Sequence, residues 1–570
     1  AIIVHSACRL AQPYLVKVAI DRHIAVGDLS GLDAVVGLFL TVLLGSFLAE
    51  YAETYLLQWT GQRIMFDLRS QIYGHLQRLD IAFYDRTPVG RLMTRVTSDV
   101  DALNDLFTSG VVSVFGDVFT LLGIMTVLLT MDWRLALVTF SVLPLIVVVT
   151  QWFRRNVRES YRTVRALVAR INAFLQENIT GMATVQLFRR EARNLRRFDD
   201  LNVEHRNVNI ASIFYYAVFY PSVEIIGVLA TALIIWWGGV WVLAGTLTLG
   251  SLVAFTQYGQ RFFRPISDLS EKFNLLQSAM ASSERIFTLL DTPVAVQPPA
   301  APKRAQGAGH LVFDHVWFAY TGDDWVLRDV SFEVRPGERV AIVGATGAGK
   351  STIINLLMRF YDVRQGRILV DGVDVRDLEL ADLRRRFGLV LQDVHLFSGT
   401  VAGNIRLGET SIDDNAVIRA AQAVHADQFV SRLPQGFQTP VAERGATLST
   451  GQKQLLSFAR ALAFDPAVLV LDEATSSVDT ETELLIRDAL RVLMAGRTTV
   501  AIAHRLSTIQ DVDTILVLHK GRVRESGRHQ ELLALRGIYH RLYQLQYRDQ
   551  EDAGPGAPLA PRGLATDVTS

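Results

Sequence analysis

The sequence predicts two fused parts: a helical membrane domain of six spans whose helices extend far into the cytoplasm, and an α/β domain built around a phosphate-binding loop. Three observations support this fold class. Apolar stretches that approach or exceed the roughly 20 residues needed to cross a bilayer fill the first half of the chain. Charged segments with a helical pattern separate them. In the second half, a glycine-rich loop lies between an apolar run and a helical segment.

Length and composition limit the possibilities. With 570 residues, the chain is too long for one ordinary domain. Its formal net charge is zero, so no overall field favours nucleic acid as a partner. The single cysteine, Cys8, excludes an internal disulfide framework and a cysteine-based zinc site. Because the chain begins at Ala1 within an apolar segment, we expect the first span to be truncated at its N-terminus.

The apolar stretches predict the membrane spans. The third to fifth stretches are long and lack an amphipathic period, which argues against helices of a water-soluble core. Pro144 and Pro221 predict kinks in spans four and five. The six predicted spans are residues 1–25, 34–58, 109–131, 134–153, 214–241 and 249–270.

Positive charge predicts the orientation of the spans. The segment 153–206 holds twelve arginines, whereas the turns at the opposite side hold only Arg134. Basic loops remain in the cytoplasm. An even number of spans then returns the second half to the cytoplasm, so we expect a multi-pass protein of the cytoplasmic membrane with its phosphate-loop domain inside the cell.

The loops on the cytoplasmic side are too long to be simple turns. Segments 59–108 and 153–213 are charged and helical in pattern, so we expect membrane helices to continue through them, with turns near 85–90 and 178–182. The predicted organisation is a membrane domain at 1–290, a linker rich in proline and alanine at 291–309, a nucleotide-binding domain at 310–548 and a disordered tail at 549–570.

The glycine-rich loop follows the apolar run 340–343 and precedes a helical segment. Glycines let backbone amides turn toward phosphates, and the helix N-terminus adds partial positive charge. Lys350 can reach the outer phosphates, and the Ser351 hydroxyl can hold Mg²⁺. The candidate nucleotide-binding residues in this loop are Gly344, Thr346, Gly347, Gly349, Lys350, Ser351 and Thr352.

A second apolar run, 467–471, ends in Asp472 and Glu473. Taken alone, it is also compatible with an ordinary acidic turn after a strand. Together with the phosphate loop, it predicts that Asp472 binds Mg²⁺ and that Glu473 polarises the water that attacks ATP.

The segment Leu448-Ser-Thr-Gly-Gln452 resembles the signature motif of ATP-binding cassette (ABC) transporters, usually Leu-Ser-Gly-Gly-Gln. Other motifs of that family occur in the expected order, and the chain is similar to a B-family (type IV) exporter half-transporter from the first span to about residue 546. The matching residues are the adenine-stacking aromatic Tyr320, the Q-loop Gln392, the exporter segment 443–445, the D-loop Asp479 and the switch histidine His504.

The resemblance implies ATP and Mg²⁺ as cofactors and assigns roles to these positions. Glu473, His504, Lys350 and Gln392 would be catalytic, and Ser351, Gln392 and Asp472 would bind Mg²⁺. ATP would also contact Tyr320, Ser449, Gly451, Gln452 and Asp479. Without the resemblance, Tyr320 could equally be a core aromatic residue and His504 a structural histidine.

The resemblance also implies a dimer, because the signature of one ABC domain faces the phosphate loop of the other. Thr450 replaces the usual signature glycine, whereas Glu473 is retained, as in the catalytic-glutamate subunit of bacterial heterodimeric multidrug exporters. We therefore favour a heterodimer over a homodimer. The expected partners are a second half-transporter, membrane lipids and a hydrophobic small-molecule substrate, with no nucleic acid.

The expected function is ATP-driven export of amphipathic drugs or lipids by alternating access. A lipid flippase or a peptide exporter is the main alternative, and a regulatory subunit or a non-transport ATPase is a more distant one. Ionisable residues inside spans indicate functional sites. Asp117 and Glu224 are therefore candidates for attracting cationic substrates, with a hydrogen-bonded helix contact or an interfacial position as the alternative for both.

Overall fold

The computed structural model of the chain describes residues 1–27, 31–472, 480–502 and 510–551. The chain divides into two compact units. The membrane unit comprises residues 1–77 and 88–292, and the nucleotide unit comprises 293–570 together with the short segment 78–87.

The membrane unit is helical. Two π-helical segments, Ile20–Ile24 and Leu106–Val111, interrupt its α-helices. These are α1 (Ile2–Ala19), α2 (Leu32–Leu76), α4 (Val89–Val96), α5 (Ser98–Asp105), α6 (Val112–Met131), α7 (Trp133–Phe140), α8 (Leu143–Thr180), α9 (Met182–Leu187), α10 (Glu191–Leu243) and α11 (Leu249–Leu290), with α3 (Ile81–Arg86) in the nucleotide unit.

Four helical stretches of the described chain are long and apolar enough to cross a membrane: Leu32–Leu76, Val89–Met131, Trp133–Thr180 and Glu191–Leu243. They contain the predicted spans two to five. The first and sixth predicted spans lie in α1 and α11, which do form as helices. The long cytoplasmic extensions are also present, because α2, α8 and α10 have 45, 38 and 53 residues.

The two membrane prolines have different local effects. The helix stops between α7 and α8, and Pro144 lies in the first turn of α8, where its missing N–H is not needed. Pro221 lies inside α10, which continues through it. The predicted turn near 178–182 lies at Gly181, between α8 and α9.

One buried carboxylate joins two helices of the membrane unit. Asp99 of α5 is 6% exposed and accepts hydrogen bonds from Arg95 at 2.5 Å, from Ser282 at 3.0 Å and from Arg285. Burial by itself would raise the pKa of Asp99, but the hydrogen bonds from Arg285, Arg95 and Ser282 bring it below its usual value. Asp99 thus links α5 to the distal part of α11.

A second carboxylate joins α11 to the end of span one. Asp21, just beyond α1, accepts from the Thr248 hydroxyl and from the Gly250 amide, both at 2.7 Å. A Cβ atom at Gly250 would lie 2.5 Å from the Lys17 carbonyl oxygen, so glycine permits this close approach. The negative charge also lies at the N-terminus of α11, where it is favoured.

The nucleotide unit alternates strands and helices. Its strands are β1 (Leu311–Ala319), β2 (Trp325–Val334), β3 (Arg339–Val343), β4 (Gln365–Val370), β5 (Val373–Asp374), β6 (Phe387–Val390), β7 (Gly399–Thr400), β8 (Pro440–Val441), β9 (Val468–Asp472), β10 (Thr498–Ile502), β11 (Thr514–His519) and β12 (Arg522–Gly527). Its other α-helices are α12 (Lys350–Leu357), α13 (Leu380–Arg385), α14 (Val401–Arg406), α15 (Asp414–Ala423), α16 (Asp427–Val430), α17 (Thr450–Ala463), α18 (Thr480–Met494), α19 (His529–Ala534) and α20 (Ile538–Glu551), and two 3₁₀ turns span Gly436–Gln438 and Glu443–Gly445.

Two main sheets organise this unit. The larger has the order β12-β11-β3-β10-β9-β6, and all its neighbouring pairs except β12–β11 are parallel. The smaller, antiparallel sheet has the order β2-β1-β4-β5. Strands β3 and β9 are buried on both faces, which explains why their sequences are nearly continuous runs of apolar residues.

Candidate nucleotide site and membrane charges

The carboxyl ends of three parallel strands bring the predicted nucleotide motifs to one edge of the larger sheet. β3 leads into the phosphate loop, β9 ends at Asp472, and β6 ends two residues before Gln392. Ligands of open α/β sheets bind at this edge. Residues that lie up to 128 positions apart along the chain, from Gly344 to Asp472, therefore face one region.

The phosphate loop needs its glycines for space. A Cβ atom at Gly344 would lie 2.2 Å from the carbonyl oxygen of Leu518 in β11, and one at Gly349 would lie 2.7 Å from a methyl carbon of Leu327. Gly347 and Gly349 also have φ of +80° and +103°, which disfavour any other residue. The loop can curl over the end of β3 only because these positions lack side chains.

Charge and hydroxyl groups are placed around this loop. Lys350 begins α12, is 6% exposed, and its Nζ donates to the carbonyls of Gly344 at 2.8 Å and Ala345 at 3.2 Å. The ammonium group thus lies across the loop. Ser351 is exposed, whereas Thr352 is buried, so of these two hydroxyls only that of Ser351 is accessible to a bound cation.

Tyr320, directly after β1, is partly buried and connected to the helix that follows the loop. Its hydroxyl lies 3.1 Å from the Thr352 hydroxyl and 3.4 Å from the Asn355 side-chain amide. Its ring meets that of Tyr361 edge-on, with centroids 5.0 Å apart. These contacts hold the Tyr320 ring beside the phosphate loop, where it could stack on a base.

The short segment that leaves the membrane unit contacts this tyrosine pair. Arg86 of α3 donates to the Tyr320 carbonyl at 3.2 Å, and the Tyr361 hydroxyl donates to the carboxylate of Asp85. Burial and the Asp85 carboxylate both raise the pKa of Tyr361. Asp80 begins α3, accepting from the Phe83 amide at 3.0 Å with one oxygen and from the Ala295 amide at 3.0 Å with the other.

Sequence reasoning missed these contacts. The segment near 85–90 was expected to be a turn, but Asp85 and Arg86 are the last residues of a helix. Tyr361 lies next to the aromatic Phe360 and had no motif to mark it. Aspartate is a preferred N-cap residue, so Asp80 was a usable signal for the start of α3.

The signature segment begins a helix. Ser449 is the N-cap of α17: its hydroxyl accepts from the Gln452 amide at 3.2 Å, and the Gln452 side chain accepts from the Ser449 amide at 3.0 Å. Thr450 is exposed in the first turn, whereas Gly451 is buried. The helix therefore accommodates the threonine, and a helix N-terminus of this kind favours an anion.

Three predicted site residues, Glu473, Asp479 and His504, lie outside the described residues. Their neighbours are described, since Asp472 ends β9 and is aligned with Ile502 at the end of β10. Gln392 is exposed after β6, and Thr346 is exposed in the phosphate loop.

The two candidate residues of the transport path differ in their surroundings. Asp117 of α6 pairs with Lys272 of α11, and their side chains are 25% and 19% exposed. This is the interhelical contact that the sequence left open as an alternative. Glu224 is exposed on α10. The role of either residue toward substrates stays a prediction.

The chain matches two family models. Residues 1–266 match the ABC transporter transmembrane region, and residues 327–476 match the ABC transporter ATPase family. The first match covers the predicted spans, and the second runs from β2 past Asp472.

Full-length relatives agree with these matches. A fatty acid ABC transporter ATP-binding/permease protein of Mycobacterium bovis (strain ATCC BAA-935 / AF2122/97) is 40% identical over 90% of this chain and 82% of its own length. A protein of Bacillus subtilis (strain 168) described as a probable multidrug resistance ABC transporter ATP-binding/permease protein is 39% identical over 91% and 77%. The solved structure of a bacterial Atm1-family ABC exporter with ATP bound superposes with a TM-score of 0.77, at 30% identity over 96% of both chains.

The chain therefore belongs to the ABC transporter family, as the motifs predicted. It is a multi-pass membrane exporter whose cytoplasmic domain binds and hydrolyses ATP to drive transport, and exporters of this kind function as dimers.

Proposed function

We propose that this chain is one half of a dimeric exporter of amphipathic or hydrophobic compounds, and that it supplies the phosphate loop, Asp472, Glu473 and His504 to one ATP site. The observation that carries the proposal is the meeting of the phosphate loop, Asp472 and Gln392 at one sheet edge. Lys350 binds the outer phosphates, and Tyr320 binds the adenine base. Glu473 polarises the attacking water, and His504 orients it at the terminal phosphate.

The residues present fit Mg²⁺. This ion prefers oxygen ligands, and the exposed Ser351 hydroxyl, the Asp472 carboxylate and the Gln392 amide oxygen belong to that class. These three side chains would hold the ion, which neutralises charge on the phosphates when bound. The Lys350 ammonium group, which lies at the start of the loop beside the Gly344 carbonyl, contributes a further positive charge.

The dimer gives the signature segment its role. Ser449, Gly451, Gln452 and the first turn of α17 bind the terminal phosphate of ATP held by the other subunit, and Asp479 lies at the same interface. We favour a heterodimer, since Glu473 is intact while Thr450 departs from the usual glycine. In that assembly the site completed by Thr450 turns over slowly, and the site containing Glu473 does most of the hydrolysis.

Helix α3 connects ATP binding to the membrane helices. Residues 78–87 belong to the nucleotide unit, whereas the helices before and after them, α2 and α4, belong to the membrane unit. Arg86 and Asp85 contact Tyr320 and Tyr361, next to the predicted adenine position. A movement of that tyrosine pair on ATP binding is thereby passed to α2 and α4.

The substrate class follows from the membrane unit and its relatives. Cavities between apolar helices favour compounds with substantial apolar surface. The relatives are named for fatty acid transport and for multidrug resistance. Neither name refers to a peptide, which favours a drug pump or lipid exporter over a peptide exporter.

The proposal is tested with purified transporter in proteoliposomes, prepared from this chain alone and from this chain with a second half-transporter that lacks the catalytic glutamate. Membranes should accumulate a fluorescent amphipathic dye only when ATP and Mg²⁺ are supplied. Glu473→Gln should reduce ATP hydrolysis and dye accumulation by about a thousandfold while ATP binding persists. Hydrolysis by Glu473→Gln at the parental rate would remove Glu473 from the mechanism, and transport by this chain alone would establish a homodimer.

A further inference from the structure

A hydrogen bond is missing from the backbone of span one, and a side chain of span six donates to the carbonyl that is left free. Pro13 lies inside α1 and has no N–H, so the carbonyl of Arg9 lacks its helical donor. Nη1 of Arg261, in α11, donates to that carbonyl at 2.6 Å. Nη2 of the same side chain donates to Oε1 of Gln12 at 2.9 Å, and the hydroxyl of the buried Tyr258 donates to the next carbonyl, of Leu10.

These bonds satisfy the carbonyls but give the Arg261 guanidinium neutral partners. Arg261 donates to a carbonyl and an amide, both neutral, although a guanidinium has five N–H donors. Arg9, whose carbonyl accepts one of these bonds, carries a second guanidinium on α1. Among the described side chains, which leave out those of residues 263–271, 273 and 274 in α11, neither arginine forms an ion pair with a carboxylate.

Two other charge clusters of the membrane unit are neutralised by ion pairs. Asp117 pairs with Lys272, and Asp99 pairs with Arg95 and Arg285. Arg261 lies about 12 residues beyond the start of α11, which is about 18 Å along the helix axis and well within a bilayer core of about 30 Å. A charged group held by neutral partners at such a depth is costly, and such groups in membrane spans mark functional sites.

We infer that Arg9 and Arg261 form a binding site for the anionic headgroup, a carboxylate or a phosphate, of an amphiphilic substrate. The inference rests on the proposed export function. Guanidinium groups bind both kinds of oxyanion through paired hydrogen bonds, and the surrounding apolar helices accept the acyl chain. The bonds from Arg261 to span one hold the two helices together at the site.

A purely structural role for Arg261 makes a different prediction. If the guanidinium only completes the helix at Pro13, then the Arg9 side chain is irrelevant, because Arg9 contributes its backbone carbonyl to that contact. An anion site instead requires the Arg9 charge. Substitution of Arg9 therefore separates the two roles without removing the bond from Arg261 to the free carbonyl.

The experiment compares ligands of one chain length with different charges. Oleate, oleamide and oleylamine are titrated against ATP hydrolysis by the reconstituted dimer, with oleoyl lysophosphatidate as the phosphate counterpart. Arg9→Gln should raise the half-maximal concentration of oleate by about tenfold, the loss expected for one charge-assisted interaction, and leave that of oleamide within about twofold. Arg9→Lys should retain much of the oleate response.

Lys17→Gln is the matched control, since it removes a cation from the same helix two turns away. It should shift none of the four titrations. An equal shift for oleate and oleamide in Arg9→Gln, the same shift in Lys17→Gln, or no response of the parent to either anion would overturn the site. A parent that responds to oleamide but not to the anions would leave the export function standing, whereas one that does not hydrolyse ATP would refute the proposed function itself. A response to oleate but not to lysophosphatidate assigns the site to carboxylates, and the reverse assigns it to phosphates.

Discussion

The nucleotide unit and the membrane unit position their charged groups in different ways. In the nucleotide unit, Lys350 and Asp472 stand directly at the ends of a loop or a strand, and the sheet brings those ends together. In the membrane unit, single residues meet across long stretches of chain: Asp117 and Lys272 are 155 residues apart, and Arg261 and Arg9 are 252 apart. Charged groups are thus placed by contiguous motifs in one unit and by pairs of helices in the other.

This difference predicts that losing one charge destabilises the membrane unit far more when that charge is buried. Asp99→Ala leaves Arg95 and Arg285 without their carboxylate and should cost about 3–5 kcal/mol of stability, as for other broken buried pairs. The matched control is Asp101→Ala, which removes a 62% exposed partner of Arg69 and should cost less than about 1 kcal/mol. Thermal unfolding of both variants in detergent checks the comparison, and equal losses would contradict it.

The same carboxylate predicts a pH dependence. Because the pKa of Asp99 is lower in the folded protein than in the unfolded chain, its contribution is present above the unfolded value near 3.8. That contribution is lost as pH falls through the lowered folded value. The parental protein should therefore lose stability below about pH 4 more steeply than Asp99→Ala. Unfolding measured between neutral pH and pH 3 checks the sign.

The contrast between contiguous motifs and pairs of helices also explains what the sequence could predict. The strand before the phosphate loop, the helix after it and spans two to five are contiguous patterns, so they were identified correctly. The α1–α11 contact was not, because nothing near Arg261 indicates which carbonyl it binds. Pro13 was a usable signal, since a proline inside a membrane helix implies a free carbonyl four residues earlier.

Substitution of Tyr320 tests the predicted adenine position in the nucleotide unit. Tyr320→Ala removes the proposed stacking face and should raise KM for ATP by about tenfold with kcat nearly unchanged, since stacking is shared by ground and transition states. Tyr320→Phe keeps the ring and loses only the hydroxyl contacts with Thr352 and Asn355, so its KM should rise by less than about threefold. Steady-state kinetics of both variants distinguish the roles. A fall in kcat at constant KM would place Tyr320 outside the adenine site.

The hydrogen bond between Tyr361 and Asp85 of α3 should affect the coupling of hydrolysis to transport more than it affects ATP binding. Tyr361→Phe removes the hydroxyl that donates to Asp85 but retains the aromatic contact with Tyr320. We expect transport per ATP hydrolysed to fall about threefold to tenfold, while KM for ATP changes less than twofold, because a hydrogen bond to a charged group is lost outside the phosphate loop. Parallel measurement of dye transport and phosphate release gives the ratio. Asp85→Asn, which keeps an acceptor, should be milder, and an unchanged ratio in both variants would exclude this contact from coupling.

The smallest expected effect concerns Thr450. Its side chain is exposed in the first turn of α17, so replacing it with glycine removes no packed group, and any cost to the helix is below about 1 kcal/mol. In a heterodimer whose active site contains Glu473, Thr450→Gly lies in the other, slowly hydrolysing site, and total ATP turnover should change by less than about twofold. In a homodimer every site contains both residues, so the substitution acts on all turnover. A several-fold change with Thr450→Gly, at unchanged thermal stability, would show that the threonine faces the site that performs the hydrolysis.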